Sequence, residues 1–151
     1  MYQRILVPVD GSPTSARGLQ EAIRLALLTG GRLRLIHVVD ELSFAMSLDV
    51  YGGYSGDWLG ILREGGAKVL EDAAAVCRKA AVEVDTQLRD DFSGPVWEQV
   101  TNEATQWKAD LIVLGTHGRR GVGRAVLGSS AEQILRHASV PVLLVRAQDE
   151  G

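Results

Sequence analysis

Only one cysteine, Cys77, occurs in the 151 residues, which excludes an internal disulfide. It falls on the apolar stripe of an expected helix, the setting of a buried structural thiol. No apolar stretch reaches the roughly 18 residues that a spanning helix needs, so no membrane partner is expected. The N-terminal residues enter a strand-like run at once and show no leader pattern, which leads to an expected cytoplasmic location. His and Cys nowhere take metal-ligand spacing. No Ser-His-Asp arrangement is evident. No Gly-Lys-Ser/Thr is present either, so the glycines do not form a P-loop. Basic runs and tails are absent. With 16 Lys and Arg against 19 Asp and Glu, the net charge is −3, and a nucleic-acid partner is not expected.

What is present is a hydrophobic fraction of 46%, enough for one globular domain over residues 1–151 with a core of its own. Four short apolar runs end in turn residues: Ile5–Val9, Leu33–Val39, Leu111–Leu114 and Val140–Val145. Continuous apolar runs indicate strands buried on both faces, as in a parallel sheet. A fifth run, Val82–Leu88, alternates between apolar and polar residues and suits an edge or half-covered strand. Helical patterns lie between the runs. Ser12-Pro13 supplies an N-cap and a first-position proline. Leu19, Ala22, Ile23, Ala26 and Leu27 follow at helical spacing, and Gly30-Gly31 ends the helix. A second helix is expected over about 57–81, with a fray or kink at Gly65-Gly66. A third begins at Ser93-Gly94-Pro95 and uses Val96, Val100, Ala104 and Trp107. A fourth spans about Ser129 to His137, with Ile134 and Leu135 inward. Strands alternating with helices give an α/β architecture of right-handed βαβ units.

One motif carries chemistry. Gly115-Thr116-His117-Gly118 is followed, after nine residues, by Gly128-Ser129-Ser130. Glycines let a backbone approach a phosphate closely. A helix start offers free N–H groups and the positive end of its dipole. Ser129 or Ser130 also serves as an N-cap, with Glu132 or Gln133 completing a capping box, and both roles use the same groups.

The chain resembles the ATP-binding branch of the universal stress protein family. Three blocks carry the resemblance: Arg4 to Ser12 (Arg-Ile-Leu-Val-Pro-Val-Asp-Gly-Ser), Leu33 to Val39, and Asp110 to Arg146 with both glycine motifs and Val140-Pro141-Val142-Leu143-Leu144-Val145. The resemblance implies a doubly wound, five-stranded parallel sheet in the order 3-2-1-4-5, flanked by four helices. Strands 1 and 4 are then neighbours at the switch in winding direction, where ligands of such sheets bind. Asp10 ends strand 1 and Gly115 ends strand 4, so two distant motifs converge on one crevice. ATP or another adenine nucleotide is the implied ligand. Pro8, Val9 and Asp10 line its strand-1 side. Asp10 has two readings: a ligand to ribose or to Mg²⁺, or a cap for the Asp-Gly-Ser-Pro turn. The resemblance favours ligand contact. It also gives the Val38 backbone to the adenine edge, which side-chain chemistry alone does not indicate. Gly115, Thr116, His117, Gly118 and Gly121 belong to the phosphate and ribose side, as do Gly128, Ser129 and Ser130. Arg119, Arg120 and Arg124 lie in the nine-residue insert, where an arginine either reaches the phosphates or stays solvated. His117 has no carboxylate or nucleophile near it in sequence to make it an acid or base.

The site thus has binding groups and no evident attacking group, which reads as a nucleotide receptor with slow or no hydrolysis. A stress-linked regulator or sensor follows from the resemblance. So does a homodimer through Val140–Val145, an apolar edge strand that invites pairing, together with a protein partner that the sequence does not identify. Two rivals stand. A Mg²⁺-dependent nucleotide hydrolase requires turnover that depends on Asp10. An interaction protein with an empty crevice leaves the glycine pattern without a role. Residues 40–57 form a long connection with Phe44, Met46, Tyr51 and Tyr54, read either as a lid or partner-binding segment or as a linker.

Overall fold

The structure, a computed structural model, describes residues 1–39, 58–116 and 128–146. In chain order the elements are β1 (Arg4–Pro8), α1 (Pro13–Thr29), β2 (Arg32–Val38), α2 (Trp58–Lys79), β3 (Val84–Arg89), α3 (Val96–Trp107), β4 (Leu111–Thr116), α4 (Ser129–His137) and β5 (Val142–Arg146). The strands form one parallel sheet in the order β3-β2-β1-β4-β5, as expected. Alternate residues of each strand point to opposite faces, and β1 shows the consequence. Ile5 and Val7 join Leu33, Leu35 and Val113 under α1 and α2, whereas Leu6 joins Ile36, Ile112 and Leu114 under α3 and α4. Both faces are covered, which is why the central strands β1 and β4 read as apolar runs.

Local chemistry sets the helix ends. The Ser12 hydroxyl accepts the Ser15 N–H at 3.1 Å, and Pro13 opens α1. Gly30 closes α1 in the left-handed conformation (φ 73°), which glycine adopts without a Cβ penalty. Several expectations need correction. α2 runs unbroken from Trp58 to Lys79 through Gly65-Gly66, because Gly66 is a close-packing position. Leu27 and Leu135 lie outward, being 56% and 39% exposed. Each sits one residue beyond the inward stripe, and a step of one turns the helix face by about 100°. β3 starts at Val84 because the Val82 N–H is spent on the C-terminal turn of α2, bonding the Cys77 carbonyl at 3.0 Å. β5 starts at Val142, since Pro141 has no N–H for the ladder; its carbonyl accepts the Ile112 N–H at 3.0 Å. Gly128, and not a serine, is the N-cap of α4, with no side chain capping it. Cys77 is fully buried as expected.

Between α3 and β2–β3 lies a buried ionic group. Glu103 is held by Arg34 at 2.7 Å and by Arg89 at 2.5 Å, and Arg34 also grips Asp85. Trp107 packs against the Arg34 and Arg4 guanidinium groups. No helix of the described residues is long and apolar enough to cross a membrane.

Candidate functional site

The site begins with a divergence of strands. β1 keeps register with β2 as far as Pro8↔Ile36, but with β4 only at Ile5↔Leu111 and Leu6↔Ile112. β4 continues to Thr116 alongside β5. Past Leu6 the two central strands therefore part, and a crevice of about 410 Å³ opens between their C-terminal ends. This is the position that the strand order predicts.

Backbone direction decides what faces the opening. Gln3 and Val9 bond toward β2, through Arg32 N–H to Gln3 and Val9 N–H to Ile36, both at 2.9 Å; Arg4 bonds toward β4, through Asp110 N–H at 2.9 Å. By alternation, residue 8 turns its backbone to the β4 side, where pairing has already stopped. Proline there has no N–H to leave unpaired. Ile36 and Arg32 face β1, whereas Leu33 and Val39 donate toward β3. Val38 thus presents its main chain to the β1 side, one rung past the last. Its N–H has no partner among the described residues.

Asp10 caps its own turn, its Oδ1 accepting the Ser12 N–H at 2.9 Å. The crevice walls desolvate its carboxyl and push its pKa up. Hydrogen bonds from the Ser12 hydroxyl, the Ser12 N–H and the Ser15 hydroxyl outweigh this and hold it below the ordinary carboxylate value. Asp10 is therefore ionised at neutral pH and remains at the crevice, so both sequence readings of it are compatible.

Gly115 and Gly128 differ in kind. Gly115 lies within β4, and a Cβ on it would come within 1.9 Å of the Thr14 carbonyl oxygen. Its role is close contact with α1; the expected sharp exit from the strand is not what requires glycine here. A Cβ on Gly128 would meet no described atom within 4 Å, and its φ of −65° suits any residue. Neither backbone conformation nor described packing asks for glycine at position 128, which lines the crevice.

Of the residues expected from the sequence, Pro8, Val9, Asp10, Val38, Gly115, Thr116, Gly128 and Ser130 line this one crevice. Ser129 is exposed at the start of α4 and does not line it. His117, Gly118, Arg119, Arg120, Gly121 and Arg124 lie outside the described residues, as does the 40–57 connection. Sequence reasoning missed an apolar wall formed by Ile36, Val96, Val100, Leu114 and Ile134, and a polar rim of Ser12, Thr14, Ser15 and His37. Val96, Val100 and Ile134 read as helix core. Nothing in their sequence pattern separates a crevice wall from core. His137 ends α4 as expected and stacks on Trp97 with ring centres 4.3 Å apart.

A larger, more open hollow of about 700 Å³ lies beside Arg34, Arg89, Glu103 and Trp107. Arg34 and Arg89 are balanced by Glu103 and Asp85, and Arg4 donates to the Trp107 carbonyl at the end of α3. The β1–β4 crevice instead offers an apolar wall, a free main-chain donor and an uncapped helix start together. Among the described residues no group of His, Cys, Asp and Glu is arranged to hold a metal ion by itself.

The model of the universal stress protein family matches residues 1–146. A curated relative, a universal stress protein of Methanocaldococcus jannaschii, is 32% identical over 149 residues, spanning 97% of this chain and 83% of the relative. A solved structure of a universal stress protein family member from Burkholderia pseudomallei is 32% identical, with a TM-score of 0.74 and 97% of each chain covered. The universal stress protein from Archaeoglobus fulgidus solved in complex with dAMP has a TM-score of 0.68 at 23% identity, covering 95% of this chain and 98% of that one.

Proposed function

This chain belongs to the universal stress protein family, and on that premise we propose that it is an ATP-binding regulator or sensor of stress whose ligand sits in the β1–β4 crevice. The observation that carries the proposal is Gly128. It stands at an uncapped helix start, faces the crevice, and is glycine where neither conformation nor described packing requires it. Close approach of a phosphate supplies the missing reason. The apolar wall of Val96, Val100, Ile36 and Leu114 suits a purine face, and the free Val38 N–H suits its edge. The dAMP complex of the Archaeoglobus fulgidus protein is consistent with an adenine nucleotide.

In this reading Ser130 and the first N–H groups of α4 hold phosphate oxygens, and the sequence motif that continues from Thr116 is assigned to the same phosphate and ribose side. Ionised Asp10 meets the ribose or a Mg²⁺ ion, which would neutralise phosphate charge. The reading is nucleotide reception with slow or no hydrolysis. The protein works in the cytoplasm as one domain and as a homodimer joined through the 140–145 edge. There β5 is the last strand and Leu143 is exposed. Its protein partner reads the bound state.

The test is acid extraction of the purified protein, with released nucleotide identified by mass, followed by calorimetry with ATP, AMP and dAMP. Micromolar or tighter binding that weakens in a Gly128→Glu variant supports the proposal. No extracted nucleotide and no binding of any of the three leaves the crevice empty and overturns it.

A further inference from the structure

His37 performs a substitution within the sheet. The Val9 N–H bonds Ile36 at 2.9 Å. In a continued parallel ladder, the next bond would run from the Val38 N–H to the Val9 carbonyl. That carbonyl instead accepts the His37 side chain, with Nδ1 at 2.8 Å. A carbonyl only accepts, so Nδ1 carries the proton. The ring occupies the rung that Val38 would have made.

The ring is also seated from behind. Gly66 of α2 packs so closely that a Cβ on it would lie 2.7 Å from His37 Cδ2 and 3.2 Å from Nε2. One helical turn on, Val69 Cγ2 would lie 3.2 Å from a Cβ on Gly11, in the turn that follows Asp10. Two consecutive turns of α2 therefore buttress the end of β1 and the His37 ring together. This gives the glycine at position 66 a reason that helix propensity does not, since glycine in mid-helix costs about 1 kcal/mol relative to alanine.

We infer that His37 is a positioning residue for base recognition: its side chain occupies the Val9 carbonyl so that the Val38 main-chain N–H stays open to the crevice as the donor that reads the purine edge. The inference rests on the nucleotide reading of the crevice. It goes further by naming what keeps the recognising group unpaired and by linking that group to α2. A ligand acceptor at Val38 and the Val9 carbonyl compete for one donor, and His37 settles the competition before the ligand arrives.

Two measurements test this on the full chain. The first is hydrogen exchange at the Val38 amide by NMR, without nucleotide. The wild-type amide should exchange quickly, and the His37→Ala amide, free to close the rung, should be protected at least tenfold more. Slow Val38 exchange in the wild type overturns the inference. The second is calorimetry with ATP. His37→Ala should lose about tenfold in affinity, the scale of one buried hydrogen bond. His37→Asn should keep near wild-type affinity, because its Nδ2–H can take the place of Nδ1–H. Gly66→Ala, which displaces the ring, should lose affinity with His37 present and nothing further in the His37→Ala background. Equal affinity of His37→Ala and wild type overturns the inference alone. A wild-type chain that binds no ATP overturns the nucleotide reading, and the Val38 exchange rates then still decide what His37 does.

Discussion

Replacing Gly115 and Gly128 with alanine, one at a time, should separate stability from binding: the first variant should lose both, the second binding alone. A methyl group on Gly115 would be 1.9 Å from the Thr14 oxygen and 2.7 Å from its carbonyl carbon. An ordinary carbon–oxygen contact is about 3.3 Å, so the first turn of α1 must retreat by about 1.4 Å. Both partners are backbone, and Gly18 of α1 meets Gly115 again, a Cβ there lying 2.8 Å from the Gly115 nitrogen. No side chain can rotate away to absorb the clash. Overpacking of this kind costs about 3 kcal/mol, or roughly 6–12 °C in melting temperature for a chain of this size. Gly115→Ala should therefore melt early. It should also bind ATP poorly, since Thr14 and Gly115 both line the crevice. Gly128→Ala meets no described atom. It should change stability by less than about 1 kcal/mol, the scale of an N-cap substitution, yet weaken ATP binding about tenfold by excluding a phosphate. Calorimetric melts and titrations on the two variants read both quantities. A Gly115→Ala protein that melts like the wild type would refute the rigid α1–β4 contact, and undiminished binding by Gly128→Ala would refute close approach at the helix start.

Three further outcomes are expected. Glu103→Ala leaves Arg34 and Arg89 without their shared carboxylate. Because both arginines keep some solvent access, the loss should be about 2–3 kcal/mol in urea unfolding; an unchanged midpoint would mean that the ionic group adds nothing. Burial pushes the Cys77 thiol up to about 11, so a thiol reagent should label it only under unfolding conditions. Its neutral form is favoured in the fold, so its contribution is intact below the unfolded thiol value near 8.5 and is lost as pH rises toward 11. Cys77→Ser should flatten that alkaline decline. Asp10 has the opposite sign. Its lowered folded value means a contribution present above the unfolded value near 3.9 and lost as pH falls through the folded one. Asp10→Asn should reduce the acid-side slope of stability, and in ATP titrations it should remove any strengthening by Mg²⁺.

The alternation of strands and helices was legible because it depends on apolar runs, a coarse feature, whereas the sheet order, and with it the meeting of Asp10 and Gly115, followed from the family resemblance. Finer roles were not. Gly115 looked like a residue chosen for backbone freedom, yet it is glycine because Thr14 touches it from a helix a hundred residues earlier in sequence. Ser129 and Ser130 looked like caps, but the chain enters α4 with Gly128 in the cap position and no side chain bonded back. Leu135 fits an inward stripe as well as Ile134 does on paper, and one step around a nine-residue helix separates buried from exposed. His37 read only as a residue of the buried sheet. In sequence it is a polar residue inside a strand, and only the register of β1 against β2 shows which carbonyl it takes.

The short register between β1 and β4 has one more consequence. β3, β2 and β1 come from residues 4–89 and β4 and β5 from residues 111–146, so the sheet is two leaves, each drawn from one continuous half of the chain. The seam between them holds register at only two residue pairs, and α1, resting its first turns on Gly115, is the clasp across it. A molecule lodged in the seam touches Pro8 and Asp10 on one leaf and Gly115, Thr116 and Gly128 on the other. Its binding energy then acts as mortar between the halves, and the fold's thinnest joint becomes the place where occupancy is felt as cohesion.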